Sequence, residues 1–154
     1  MALIPGINSF VRNAADQAVS ASTTLVDITG WSFTLPATKI CLIEAYIPFS
    51  TGATGGFKFQ LTNTQTPVDF SAFWEAIDGT AAAPGSEVSV TQTSQAAFVN
   101  TWAVAGNHTC LLKASLKGHA TLSDTVSVQF ACNSAANAIT ALKGAWMKVT
   151  FING

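Results

Sequence analysis

Apolar and polar residues alternate with a period of two along most of this chain, which is the pattern of β-strands that bury one face. The clearest case is 57–61, where Phe57, Phe59 and Leu61 alternate with Lys58 and Gln60. The same pattern predicts strands over 22–26, 31–35, 39–49, 87–93, 97–104, 109–116, 125–132 and 145–152. Gly30 separates the first two of these segments, and turn-forming residues separate the others.

One segment, VDFSAFWEAI over 68–77, fits two structures. Phe70, Phe73, Trp74 and Ile77 are spaced i, i+3, i+4 and i+7, which is typical of a short helix. A strand that carries a bulge fits the same residues nearly as well.

The number and spacing of the predicted strands indicate the fold class. Roughly eight or nine strands, at intervals of about 8–12 residues, are typical of a sandwich or a barrel. A length of 154 residues suits one domain. We therefore predict an all-β protein whose residues 21–154 form a single-domain, jelly-roll-like β-sandwich.

The first 20 residues form a different kind of segment, an apolar N-terminal arm with no partner strand nearby in the sequence. This series is either an edge strand of the sandwich or an arm that docks on a neighbouring subunit, because isolated apolar termini fray unless they are held. The residues predicted to make that contact are Leu3, Ile4, Ile7, Phe10 and Val11.

The composition indicates a subunit of an assembly rather than a domain that is free in solution. Only 10% of the residues are charged, against about 25% in an ordinary soluble domain, and 49% are apolar. The mean hydropathy is +0.37, yet no stretch approaches the roughly 18 apolar residues of a membrane span, so we expect no membrane partner. Other protein is then expected to cover the uncharged surface.

The few charges also argue against nucleic acid as a partner. Seven basic residues are spread along the chain, the net charge is −1, and phosphate neutralisation needs a basic cluster. The N-terminus lacks the pattern of a secretory signal, and an odd number of cysteines does not suit a disulfide framework, so we expect synthesis in a reducing cytoplasm.

Candidate chemistry is sparse. A nucleophilic triad needs a histidine, and the two that are present, His108 and His119, fall in predicted surface turns. Cys41, Cys110 and Cys132 lie in apolar runs without metal-ligand spacing, which predicts buried thiols. We expect no enzyme activity, no metal and no cofactor.

A binding module is the alternative to a purely structural role. Trp74 next to Glu75 is the one pair that suggests a glycan contact, since sugars stack on tryptophan and hydrogen-bond to carboxylates. In that interpretation the sandwich is a receptor-binding or glycan-binding module.

The last third of the chain carries a resemblance to known proteins. Residues 111–154 contain a Gly turn, the strand VSVQFACN, a small-residue loop and the closing strand KGAWMKVTFI. This succession resembles the closing hairpins of tailed-bacteriophage virion proteins, and residues 22–50 and 57–61 resemble their opening strands. The usual closing Gly-Ser-Tyr is here Gly144-Ala145-Trp146, and the loop around 80–87 has no counterpart.

The resemblance implies a homotrimeric β-sandwich on the exterior of a virion. It implies a capsid decoration protein that cements the particle, with the major capsid protein or another virion protein as its partner. A component of a tail or a fibre is the other role that the resemblance implies.

Overall fold

The alternating sequence forms two antiparallel sheets in the computed structural model, which describes residues 8–52, 56–80, 87–101 and 105–152. Twelve strands and no helix occur within these ranges. The strands are β1 (Asn8–Arg12), β2 (Gln17–Ser20), β3 (Val26–Leu35), β4 (Ile40–Thr51), β5 (Phe57–Asn63), β6 (Asp69–Asp78), β7 (Glu87–Gln92), β8 (Phe98–Asn100), β9 (Gly106–Lys117), β10 (Asp124–Cys132), β11 (Ala138–Ala141) and β12 (Trp146–Ile152).

The strand order confirms the jelly-roll-like sandwich. The larger sheet has the order β1-β12-β4-β9-β6-β7, with β11 beside β4 and β2 beside β11. The smaller sheet has the order β3-β10-β5-β8. The chain changes sheet at every step from β2 to β6 and again from β7 to β11, so most strands adjacent in sequence belong to opposite sheets.

The core is aromatic where the two sheets meet. The Phe49 ring from the larger sheet makes edge contacts with Phe57 and Phe59 of the smaller sheet, at centroid distances of 4.9 and 5.2 Å. Trp31 and Trp74 are both fully buried. Because aromatic side chains bury the largest area per residue, this cluster supplies much of the stabilisation of the sandwich.

The ambiguous segment 68–77 is strand β6, so the helical alternative is wrong. Trp74 is buried in the core and Phe73 lies on the opposite side, 37% exposed, as a period of two requires. The helix-like spacing arises because both sides of this strand carry aromatic residues.

The strand predicted over 31–35 belongs to β3, which begins at Val26 and runs through Gly30, whereas the strand predicted over 22–26 is wrong except at Val26. Gly30 has φ +80°, and four residues of β3, 28–31, lie opposite the single residue Val128 of β10. Glycine tolerates this left-handed backbone conformation, so the strand bulges at Gly30 and continues.

The part of the predicted arm that the structure describes belongs to the larger sheet. Strand β1 pairs with β12 along its whole length, and β2 pairs with β11. Val11 contacts the core, while Phe10 points away from it. Leu3, Ile4 and Ile7 lie outside the described residues, as does 102–104 of the strand predicted over 97–104, and the domain boundary at residue 20 stays a prediction.

Candidate interaction surface

The outer side of the larger sheet carries a broad set of apolar side chains. Alternation along six strands sends every second side chain away from the core, and many of these are aromatic or aliphatic. We call this surface the aromatic face. Its large apolar members are Phe10, Ile40, Leu42, Tyr46, Phe73, Ile77, Leu111, Trp146 and Ile152, all exposed or half-buried.

Three aromatic rings from neighbouring strands stack on this face. The register aligns Arg12, Trp146 and Tyr46 across β1, β12 and β4. The Phe10 and Trp146 rings have centroids 5.8 Å apart, and those of Trp146 and Tyr46 are 6.4 Å apart, with nearly parallel planes in both pairs. Phe10 is 62% exposed, so the row ends in a ring that is largely open to solvent.

The centre of the aromatic face holds a few charges of both signs. In register, Glu44 lies between Lys148 of β12 and Lys113 of β9. Lys148 Nζ lies 3.6 Å from Glu44 Oε2, and both side chains are about half exposed, so this ion pair adds little stability. Beside it is a shallow hollow of about 400 Å³, lined by Leu42, Phe73 and Lys113 among others.

The outer side of the smaller sheet is polar instead, and we call it the polar face. Its outward residues include Ser32, Thr34, Lys58, Gln60, Thr62, Thr125 and Gln129. Their amides are engaged: Gln129 Nε2 donates to Asp27 Oδ1 at 2.8 Å, and Gln60 Nε2 donates to the Gln95 carbonyl at 2.7 Å. Val26 and Val99 are the exposed large apolar residues on the strands of this sheet. The two outer sides of one sandwich therefore differ sharply in polarity.

His108 is buried, and its predicted place in a surface turn is wrong. It is 3% exposed and lies at the start of β9, on the same inward side as Cys110 and Leu112. Its Nδ1 lies 3.2 Å from Asp78 Oδ1, and its Nε2 lies 3.0 Å from Thr51 Oγ1. The alternation of β9, extended back to residue 108, is the sequence signal that indicates this position.

The surroundings of Asp78 favour its ionised form. Burial by itself raises the pKa of this carboxyl. The Thr80 backbone N–H, 2.8 Å from Asp78 Oδ1, together with the Thr80 hydroxyl and His108, outweighs burial and lowers the pKa below its usual value. The order hydroxyl, imidazole, carboxylate is that of a hydrolase triad, but Thr51 is only 7% exposed. The hydroxyl, the imidazole and the carboxylate thus interact with one another in the interior of the protein, at one end of the larger sheet.

The three cysteines are buried free thiols, as predicted. Burial raises the pKa of Cys41 to about 12 and that of Cys110 well above its usual value, which disfavours the reactive thiolate. Cys132 Sγ donates to the Asn137 carbonyl at 3.1 Å. No three side chains of the metal-ligating types converge in the described ranges. The same ranges contain no helix with the length and apolar character to span a bilayer.

The two residues of the predicted glycan contact lie on opposite sides of β6. Trp74 is fully buried, with its ring stacked 6.1 Å from both Phe59 and Phe98 and its Nε1–H donating to Gln92 Oε1 at 3.1 Å. Its indole therefore has no face open to a sugar. Glu75 lies on the aromatic face, in register with Leu111.

Comparisons with known proteins add little to this picture. No family model matches the sequence, and no curated protein does. Among solved structures, the chain is similar to one described as the structure of infectious bursal disease virus Gx strain, at 12% identity and a TM-score of 0.23. The match covers 95% of this chain and 36% of that chain, so this chain spans about a third of its length. A TM-score and an identity this low carry no information on function.

Proposed function

We propose that this protein is a structural subunit of a bacteriophage virion, a homotrimeric decoration protein that sits on the capsid exterior and cements it. The observation that carries the proposal is the aromatic face, an apolar outer sheet surface on a chain of which only 10% is charged. Monomeric soluble proteins seldom leave so broad an apolar surface open to water. Contact with other protein would remove this surface from water. The resemblance of residues 20–154 to phage virion proteins indicates that this contact is made in a virion.

The action of such a subunit is mechanical rather than chemical. A decoration protein binds the assembled shell and not its separated subunits, so its binding free energy adds to the cost of taking the shell apart. The predicted capsid contact is the apolar series that begins at Leu3, and apolar contacts are not weakened by salt as ion pairs are. The stabilisation is therefore expected to persist at high ionic strength.

Light scattering after gel filtration, in low salt and in about 1 M salt, is the first test. With a chain mass of 16.0 kDa, a trimer has three times that mass, or 48 kDa, and we expect this value in both conditions. Co-sedimentation with empty capsids of the encoding virus is the second test, and we expect binding that survives the same salt. A trimer that does not bind capsids would contradict the decoration role and leave the self-association standing.

A further inference from the structure

Building on the proposed role as a particle subunit, we infer that the aromatic face is bound by further copies of the same chain and is the self-interface of the trimer. Proteins of the shell then contact other parts of the surface. Three features of the face argue for a second copy as its occupant: its size, its charge balance and the small number of ion pairs among its charges.

The aromatic face is large enough for a stable interface. Six strands about 4.8 Å apart, over about eight residues at about 3.4 Å each, give it an area of roughly 700 Å². A standard protein–protein interface buries about 800 Å² on each partner. Its stacked row of Phe10, Trp146 and Tyr46 supplies the aromatic side chains in which the centres of interfaces are enriched.

The charges of the face are balanced, which suits a surface that meets its own copy. Four basic and four acidic residues project from its strands, so its net charge is zero. A face of one sign would repel a second copy of itself, whereas a balanced one can pair its charges across the contact. The eight residues are Arg12, Lys113, Lys117, Lys148, Glu44, Asp69, Glu75 and Glu87.

Most of these charges form no ion pair with the described residues of their own chain, although Asp69 lies opposite Lys117 in the register. Over the described residues, Lys148 with Glu44 is the one ion pair on this face. Lys113 and Glu75, on the neighbouring strands β9 and β6, form none there. A second copy can therefore supply a carboxylate to Lys113 and an ammonium to Glu75.

A pair of matched variants tests this assignment. Leu42→Glu places a charge on the aromatic face at a side chain that is 40% exposed, and Val99→Glu places the same charge on the smaller sheet at one that is 45% exposed. We expect Leu42→Glu to weaken self-association by about tenfold or more and to shift the mass toward 16.0 kDa. Val99→Glu should remain at 48 kDa, three times the chain mass. Far-ultraviolet circular dichroism checks that both variants keep the sheet.

A charge reversal tests the balance itself. Lys113→Glu changes the net charge of the face from zero to −2, and we expect it to dissociate the assembly more in low salt than in high salt. Adding Glu75→Lys restores a net charge of zero and should restore the mass of the wild type. A merely structural effect of residue 113 would not be reversed by the second substitution.

Three outcomes would overturn the inference. One is a wild-type protein that is monomeric in both salts. Another is a Leu42→Glu variant that keeps the mass of the wild type, since the self-interface must then lie elsewhere. The third is a Leu42→Glu variant that stays trimeric but no longer binds capsids, which would assign the aromatic face to the shell. Failure of capsid binding by a wild-type trimer would count against the decoration role alone.

Discussion

At the scale of single residues, Asp78 links the stability of the folded chain to pH. The Asp78 carboxylate is held by Thr80 and His108 at the buried end of the larger sheet, and its pKa is lower in the folded chain than the value near 3.8 of the unfolded one. Its ionisation therefore stabilises the folded state at a pH above the unfolded value. That stabilisation is lost as the pH falls through the lower pKa of the folded state.

The variant Asp78→Asn tests this linkage. We expect it to lower the free energy of unfolding by about 1–3 kcal/mol near neutral pH, because it removes charged hydrogen bonds from buried partners. The difference from the wild type should shrink as the pH falls below about 4, where the unfolded chain takes up a proton at this carboxyl while the folded chain, with its lower pKa, takes it up only at lower pH. Urea unfolding at several pH values measures this, with Asp27→Asn, at an exposed side chain of the polar face, as the control. A difference that stays constant down to low pH would contradict the linkage.

At the scale of elements, two glycines, one in a strand and one just before a strand, have positive φ angles. A side chain would be unfavourable at both positions, but for different reasons. Gly30, in the bulge of β3, has φ +80°, and an added Cβ would find its nearest neighbour, Val11 Cγ2, at 3.8 Å. Gly56, just before β5, has φ +52°, and an added Cβ would overlap the Asn100 carbonyl oxygen. Only the second site lacks the space for a methyl group.

The two alanine variants should therefore differ in stability. We expect Gly30→Ala to lower the free energy of unfolding by about 1 kcal/mol, because alanine is less stable than glycine in a left-handed conformation. Gly56→Ala should lower the free energy of unfolding by about 3 kcal/mol or more, because the backbone at Asn100 must also move to make room for the methyl group. Urea unfolding of both, with Ser32→Ala on β3 as the control, measures the costs. Equal losses for the two variants would show that the approach of Asn100 does not matter.

The elements also show what the sequence could predict. Strict alternation identified β5, β9, β10 and β12, because their inward positions are apolar and most of their outward positions are polar. It missed β2 and β11, QAVS and AITA, since small and polar side chains give no such contrast. The aromatic face could not be predicted, because Phe10, Tyr46 and Trp146 meet only through the order of the strands, which local patterns do not encode.

At the scale of the whole molecule, the N-terminal segment divides into a part inside the sheet and a part ahead of it. Removing residues 1–7 should leave a folded trimer that no longer adheres to capsids, if the apolar series that begins at Leu3 makes that contact. Removing 1–12 should also lower stability, because β12 loses its partner β1 and Trp146 loses the Phe10 ring. Light scattering, urea unfolding and capsid co-sedimentation separate these effects. Undiminished adhesion of the shorter deletion would contradict the docking role.

The order of strands in the larger sheet has a consequence for how the chain folds during synthesis. Strand β4 lies between β9 and β12, and both neighbours are made long after it. Strand β3 likewise cannot pair until β10 has been made, because β10 is its neighbour in the smaller sheet as described. The first half of a nascent chain thus has strands with open edges and nothing to close them. Folding by such distant pairings is slow, so we expect newly made copies to need chaperones or dilution to stay apart until β12 is complete.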